Sequence, residues 1–126
     1  MIAADTSTWV AYLQGGAGGD VRALDQALAD RQVVMVPAVL TELLSDPKLP
    51  SAVSAELSGI PLLGLADGYW QRAGALRARV LAKRRRARLG DALIAQCCLD
   101  SGVRLITRDR DFQTFRDAAG IGLKIG

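Results

Sequence analysis

Four carboxylic acids, Asp5, Glu42, Asp91 and Asp109, occupy positions in this sequence from which they could act together. Carboxylates that converge repel one another, and a divalent cation is the natural group to neutralise them. A site made of oxygen ligands alone favours a hard ion, so we expect Mg²⁺ or Mn²⁺. Such an ion lowers the pKa of its water, polarises a phosphorus centre and steadies a leaving oxygen. The four acids therefore predict metal-assisted chemistry on a phosphate ester.

The absence of histidine from the sequence narrows the chemistry further. Imidazole acid–base catalysis and histidine zinc sites are both excluded. The two cysteines, Cys97 and Cys98, are adjacent within an apolar run, which suits buried free thiols better than a zinc site or an extracellular disulfide framework. Carboxylates, hydroxyls and cations remain as the reactive groups.

Positive charge is concentrated in one part of the chain, residues 72–88. This basic segment contains eight of the sixteen basic residues and no acidic residue, which leaves eight basic residues against thirteen acidic ones elsewhere. Such asymmetry is expected of a protein that binds a polyanion, although a charged run is also common on a solvated surface. The candidates for contact with a nucleic acid are Arg79, Lys83, Arg84, Arg85, Arg86 and Arg88.

Short apolar runs that alternate with helical patterns must position these groups. The predicted strands are residues 1–4, 33–36, 60–65, 103–107 and 120–125. Four predicted helices have both ends marked, at residues 20–31, 51–57, 90–99 and 109–115. Three more are predicted from their starts: one after the polar turn at residues 5–8, one that begins at Pro37, and a long one that runs from Asp67 into the basic segment. This alternation predicts a single α/β domain over residues 1–126, with a mainly parallel central sheet covered on both faces. No apolar run is long enough to span a membrane, so we expect a cytoplasmic protein.

The predicted elements bring the acids towards one edge of the sheet. Asp5 directly follows the first strand and Asp109 follows a later one, and parallel sheets bind ligands beyond the carboxyl ends of their strands. Glu42 lies on the helix after strand 33–36, and Asp91 begins the helix that leads to the strand before Asp109. Each acid also has a structural interpretation, because the three aspartates stand where N-cap residues would and Glu42 could be a solvated helix residue.

Four short motifs are spread over almost the whole chain. They are IAADTS at residues 2–7, PAVLTELL at 37–44, GDALIA at 90–95 and LITRDRDF at 105–112. In this order and spacing they resemble the PIN-domain toxins of the VapC type. The resemblance implies a three-layer α/β/α PIN-like fold, a homodimer, Mg²⁺-dependent endonucleolytic cleavage of RNA, and a cognate VapB-like antitoxin that occupies the site.

The same resemblance implies a role for each acid. Asp5 and Asp91 would be the principal metal ligands, Asp109 would complete the acidic pocket, and Glu42 would help to activate or orient the water. The groups expected to support these acids, by fixing a carboxylate or holding bound water, are Thr6, Ser7, Thr107 and Asp111.

Two other functions remain open on the sequence alone. A receiver-like domain that accepts phosphate on Asp5 would also place acids at strand ends, but its expected lysine is poorly matched because Lys124 is the only late lysine. A non-catalytic nucleic-acid-binding module would use the basic segment, with the acids serving only as helix caps. Salt-sensitive binding that survives chelation and neutralisation of the acids would identify such a module.

Overall fold

Strands at the centre and helices around them form the framework that carries the acids. The computed structural model describes residues 1–119 and 123–126. Within these residues the elements are, in chain order, β1 (Ile2–Ala4), α1 (Thr6–Leu13), α2 (Gly19–Ala29), α3 (Pro37–Leu44), α4 (Ser51–Ser58), α5 (Tyr69–Ala82), α6 (Leu89–Ser101), β2 (Arg104–Ile106) and α7 (Asp111–Ala119). This order confirms the α/β class predicted from the sequence.

The sheet is parallel and is centred on β1 and β2, which pair with Ala3 opposite Leu105. Single parallel bridges extend it outwards, and they join Ile2 to Val33, Met35 to Leu62, and Leu105 to Ile125. The order across the sheet is therefore Leu62, Met35, β1, β2 and Ile125. Because the pairings are all parallel, the carboxyl ends of β1 and β2 lie at the same edge.

The outer segments of the sheet are shorter than the sequence predicts. Residues 33–36 and 60–65 pair through single bridges and do not form regular strands. Pro61 has no N–H to donate, and Pro37 starts α3 immediately after Val36, so neither segment can extend its ladder. Of the predicted strand at residues 120–125, residues 120–122 lie outside the described residues.

Helices cover both faces of the sheet. Successive strand residues point to opposite faces, and both Leu105 and Ile106 are buried. Helices α2 and α6 both contact β2, while α5 and α7 pack against α6. The three-layer α/β/α architecture is thereby confirmed. None of the helices in the described ranges has both the length and the apolar character needed to cross a bilayer.

Two helix ends follow the sequence prediction. Pro37 occupies the first turn of α3, where its missing N–H leaves no helical hydrogen bond unmade. Gly102 ends α6 in the left-handed region, with φ of 63°.

Three helix starts differ from the prediction by a few residues. Helix α5 begins at Tyr69 and not at Asp67, because Gly68 before it has a left-handed φ of 78°. Helix α6 begins at Leu89, so Asp91 lies in its first turn and is not its N-cap. Helix α7 begins at Asp111, two residues later than predicted.

Candidate active site

Asp5 follows β1 directly, and its carboxylate is buried, with 3% of the residue exposed. As the N-cap of α1, it accepts a hydrogen bond on Oδ1 from the backbone N of Thr8 at 3.0 Å. Its Oδ2 accepts from Ser7 Oγ at 2.7 Å and from Thr107 Oγ1 at 2.8 Å. Because both oxygens are engaged and buried, Asp5 is poorly placed to accept a phosphoryl group as a receiver-like domain would require.

Three further aspartates converge next to Asp5. Carboxylate oxygens of Asp91, Asp109 and Asp111 lie within 4.8 Å of one another, and all three residues are half-buried. Asp91 is in the first turn of α6 and Asp111 is in the first turn of α7. The N-terminal end of a helix carries partial positive charge, which favours carboxylates there. Two helix starts and the turn after β2 thus place three negative groups around one point.

The surroundings of Asp91 in this cluster disfavour the charged form of its carboxyl group. Its Oδ2 is buried and has no hydrogen-bond partner among the described residues. Burial, followed by the charge of Asp109, raises the pKa of Asp91 from 3.8 to about 6, while the charge of Arg88 acts in the opposite direction. A buried carboxylate oxygen without a partner is unfavourable unless a proton or a cation meets it. The oxygen therefore points to a ligand at this position.

Thr107 connects Asp5 to the three-aspartate cluster. Its hydroxyl donates to Asp5 Oδ2 and accepts from the backbone N of Asp109 at 2.9 Å. Asp109 Oδ1 in turn accepts from the backbone N of Asp111 at 2.9 Å. These bonds fix the acids relative to one another. Asp5 thus caps α1 and lies beside the cluster. Asp109 stabilises the turn before α7 and lies within the cluster.

Glu42 lies at the edge of the cluster, on the exposed side of α3. Thr6 Oγ1 donates to Glu42 Oε1 at 3.1 Å. A Cβ built on Gly90 would lie 3.4 Å from the same oxygen, so the absent side chain at position 90 leaves room for Glu42. Glu42 is thus next to the neighbours of Asp5 and Asp91 but outside the group of three converging aspartates.

Asp111 differs most from expectation, because the sequence predicts it only as a support for the other acids. Its carboxylate lies within the cluster itself. The available signal was the spacing of two residues between Asp109 and Asp111, across a turn that also begins a helix.

Part of the basic segment is committed to contacts within the protein. Arg72 pairs with Asp100 at 2.6 Å. Arg79, one of the RNA-contact candidates, donates from Nε to the carbonyl of Ala118 at 3.1 Å. These arginines help to hold α5 against its neighbours, which reduces their availability to a ligand.

Arg77 likewise donates from Nε to the carbonyl of Ala87 at 2.9 Å, and the other five cations of the basic segment stand in the exposed connection between α5 and α6. They are Lys83, Arg84, Arg85, Arg86 and Arg88. Arg88 immediately precedes α6 and is close enough to Asp91 for its charge to lower the pKa of that carboxyl group. Positive charge therefore borders the acidic cluster on one side.

The fold and the cluster together define the general class of the protein, a three-layer α/β/α domain with a carboxylate pocket at the carboxyl edge of its parallel sheet. Residues 2–118 match the family described as PIN domain, and the chain belongs to that family.

Two relatives at higher sequence identity are named as VapC ribonucleases. The chain is 32% identical over 120 residues to a VapC ribonuclease of Mycobacterium bovis and to ribonuclease VapC11 of Mycobacterium tuberculosis. Each alignment covers 89% of this chain and 89% of the relative. The resemblance to VapC proteins inferred from the four motifs is confirmed.

Two solved structures show the same fold at low sequence identity. One is a structure of FitAB bound to an IR36 DNA fragment, with a TM-score of 0.72 and 16% identity, covering all of this chain and 94% of the other. The other is FitAcB from Neisseria gonorrhoeae, with a TM-score of 0.72 and 17% identity, covering 99% of this chain and 96% of the other. At such identities the likeness concerns the fold alone.

Proposed function

We propose that the protein is a metal-dependent endoribonuclease and the toxin component of a VapBC-type toxin–antitoxin system. The observation that carries this proposal is the convergence of Asp91, Asp109 and Asp111, with one buried oxygen of Asp91 unpartnered among the described residues. The curated relatives named as VapC ribonucleases support RNA as the substrate. The reaction would be hydrolysis of a phosphodiester bond by water.

The three-aspartate cluster fits Mg²⁺ or Mn²⁺ in size and chemistry. Carboxylate oxygens are the hard ligands that such an ion prefers, and those of the three aspartates lie within 4.8 Å of one another. The side chains of Asp91, Asp109 and Asp111 could therefore hold one ion between them. When bound, such an ion supplies Lewis acidity to the attacking water and to the phosphate.

The protein's own side chains would divide the remaining tasks. Asp91, Asp109 and Asp111 would hold the cation, and Asp5 would complete the pocket from its buried position. Ser7 and Thr107 keep the Asp5 carboxylate in one orientation through their hydrogen bonds. Glu42, held by Thr6 at the exposed edge, is placed to accept a proton from the attacking water or to orient it.

The exposed cations between α5 and α6 would bind the RNA backbone. Their charge is complementary to phosphate, and Arg88 brings that charge to the edge of the acidic cluster. We propose that this segment holds the strand on one side of the scissile bond.

Cleavage of RNA by the purified protein tests the proposed function. We expect cleavage with Mg²⁺ or Mn²⁺, none with a chelator, and a loss of at least about a hundredfold in the Asp111→Asn variant, because a cation ligand is removed. Asp117→Asn, an exposed aspartate of the same helix α7, is the matched control and should retain full activity.

The outcome that would contradict the proposal is equally specific. Full activity in both Asp91→Asn and Asp111→Asn would remove the cluster from catalysis. Salt-sensitive RNA binding without cleavage under any metal condition would favour the non-catalytic binding module instead.

We propose that the protein forms a homodimer through an apolar groove of about 360 Å³ between α3, α5 and α6. Trp70 and Leu89 on this surface are 64% and 61% exposed, and exposed apolar patches of this kind mark interfaces. A second copy of the chain would cover them. Trp70→Glu should give a monomer in sedimentation, whereas Leu81→Glu, at another exposed apolar residue of α5 that does not line the groove, should leave the dimer intact. A dimer of the Trp70→Glu variant would contradict this assignment.

The second proposed partner is a cognate VapB-like antitoxin. Val10 and Leu13 of α1 line an exposed cleft that also contains Glu42. An apolar segment of the antitoxin would cover this cleft and place a basic side chain over the acids. Co-expression should yield a complex without nuclease activity, and Leu13→Glu should release the antitoxin. A complex unaffected by this change would place the contact elsewhere. A cytoplasmic location for the pair stays a prediction from the sequence.

A further inference from the structure

Arg108 stands between Thr107 and Asp109 in sequence, yet its side chain leaves the acidic cluster and binds the start of α2. Its Nε donates to Asp20 Oδ2 at 2.8 Å, and its Nη2 donates to Asp20 Oδ1 at 3.1 Å. Nη2 also donates to the carbonyl of Ala17 at 3.0 Å. This two-pronged geometry is the most specific that an arginine and a carboxylate can form.

Asp20 extends the connection to the other side of the site. It accepts a hydrogen bond from Thr8 Oγ1 at 2.9 Å, and the backbone N of the same Thr8 donates to Asp5 Oδ1. The Asp20 side chain is only 9% exposed. The hydrogen bond from Arg108 is the main cause of the lowered pKa of Asp20, so the pair is ionised at neutral pH. A continuous path of bonded groups thus runs from Asp5 through Thr8 and Asp20 to Arg108, the residue before Asp109.

The glycine-rich loop before α2 leaves space for this pair. Gly18 has φ of 143°, where residues with a side chain are strained, and a Cβ there would lie 2.6 Å from Asp20 Oδ1 and 3.2 Å from Arg108 Nη2. The absent side chain at position 18 therefore allows the guanidinium and the carboxylate to meet. Glycine is therefore favoured at position 18, where the loop passes next to Asp20 and Arg108.

We propose that Asp20 and Arg108 are positioning residues that hold the carboxyl ends of β1 and β2 together, and thereby set the distance of Asp5 from Asp109 and its cluster. This inference rests on the proposed function for the cation site itself. Neither residue would touch the cation. Both act through Thr8 and through the turn after β2, where neighbouring groups orient the acids.

The charge of Arg108 and its positioning role predict opposite changes in Mn²⁺ affinity when Arg108 is replaced. Arg108 carries positive charge close to Asp5: its hydrogen bond to Asp20 is the main cause of the raised pKa of Arg108, and the charge of Asp5 adds to it. Removal of a nearby positive charge should strengthen cation binding if only Coulomb attraction matters. Removal of a positioning residue should weaken it. The sign of the change in Mn²⁺ affinity therefore separates the two explanations.

The experiment is a Mn²⁺ titration of the full chain, with free Mn²⁺ followed by electron paramagnetic resonance. We expect Arg108→Gln to weaken Mn²⁺ binding by roughly tenfold or more. Arg108→Lys keeps the charge but loses the two-pronged geometry, and it should fall between Arg108→Gln and the unsubstituted protein. Folding of each variant is checked by circular dichroism and thermal unfolding.

Two matched controls separate positioning from charge and from stability. Arg110→Gln removes a positive charge from the same turn, at a side chain that makes no hydrogen bond or ion pair within the described ranges, and it should leave Mn²⁺ affinity unchanged or increased. Arg72→Gln breaks a comparable two-bond pair with Asp100, at 3.1 and 2.6 Å, on another part of the protein. It should lower the melting temperature without changing Mn²⁺ affinity.

The results that overturn the inference are distinct from those that overturn the function. Equal or tighter Mn²⁺ binding by folded Arg108→Gln, or by Arg108→Lys should the glutamine variant not fold, overturns the positioning role alone. Absence of Mn²⁺ binding by the unsubstituted protein overturns the proposed function, and the positioning role with it.

Discussion

At the scale of the residue, Asp91 holds a carboxyl group where burial disfavours its charge. Burial and the neighbouring Asp109 raise its pKa to about 6, and one of its oxygens lacks a partner among the described residues. The unfolded chain ionises the same group at its ordinary pKa of 3.8. Above pH 6 the folded state therefore carries an unfavourable charge that a bound cation would relieve.

Replacement of this carboxylate should stabilise the protein in the presence of a chelator. A shift of one pKa unit corresponds to about 1.4 kcal/mol, and the partial solvent access of Asp91 reduces the effect, so we expect Asp91→Asn to raise the free energy of unfolding at pH 7.5 by about 1–2 kcal/mol. The same variant should lose RNA cleavage. Urea unfolding measures the first effect.

The sign of this effect fixes its pH dependence. Because the folded-state pKa is raised, the stability contribution of Asp91 is present at low pH and is lost as the pH rises from about 4 through 6. The advantage of Asp91→Asn should therefore shrink as the pH falls from 7 to 4. An advantage that does not change with pH would contradict the electrostatic account of Asp91.

At the scale of the element, the site is assembled from a few short connections. The turn from β1 into α1 carries Asp5, the turn from β2 into α7 carries Asp109 and Asp111, and the first turn of α6 carries Asp91. The first turn of α2 connects the first two of these, because Asp20 accepts hydrogen bonds from Thr8 of α1 and from Arg108 of the turn after β2. Changes in these connections should therefore affect the site even when they lie outside the cluster.

Substitution of Gly18 tests the role of the loop before α2. Gly18→Ala introduces a Cβ at a φ of 143° and 2.6 Å from Asp20 Oδ1, so we expect a loss of about 1–3 kcal/mol in the free energy of unfolding. Mn²⁺ affinity should fall as well, because the bracing pair is displaced. Gly64→Ala is the control, since a Cβ there meets nothing within 4 Å. Equal behaviour of the two variants would show that the loop does not depend on a glycine at position 18.

The helices were predictable from the sequence because their caps and apolar spacing are local signals. Pro37 and Gly102 marked helix ends correctly. The outer strands were predicted too long, since pairing depends on a neighbouring segment and on Pro61, which cannot donate a hydrogen bond. The alternation of strands and helices predicted a parallel sheet, but it did not predict which residues of β1 and β2 lie opposite each other.

The placement of the candidate acids was predictable to a similar degree and for similar reasons. Asp5 and Asp109 follow strands, and Asp91 stands at a helix start, so their shared edge follows from the parallel order. The place of Asp111 in the cluster depends on the direction of one turn. The contact of Arg108 with Asp20 joins residues 88 positions apart, which no local pattern encodes.

At the scale of the whole molecule, charge is arranged around the acidic cluster. The formal net charge is only +3, yet the exposed connection between α5 and α6 is strongly basic. A cation in the cluster and positive side chains beside it would together attract a polyanion to the carboxyl edge of the sheet. The basic connection should therefore control the affinity for RNA and not the chemical step.

The salt dependence of RNA binding tests this division. With chelator present to prevent cleavage, replacement of Arg84–Arg86 by glutamine should reduce the slope of log affinity against log salt concentration by about 2, because each contact with a single strand contributes about 0.7. Replacement of Arg22, Lys48 and Arg116, three exposed cations outside the basic segment, should change it far less. Equal slopes for the two triple variants would remove the basic segment from the RNA interface.

Separate elements bring carboxylates together, and we propose that this arrangement holds one or more divalent cations. Diffraction from crystals of the protein grown with Mn²⁺, recorded at a wavelength where manganese scatters anomalously, tests it most directly. We predict an anomalous peak coordinated by Asp91, Asp109 and Asp111, with Asp5 beside it, and no peak there in Asp91→Asn crystals. Well-ordered carboxylates with no peak between them at millimolar Mn²⁺ would contradict the proposed nuclease site.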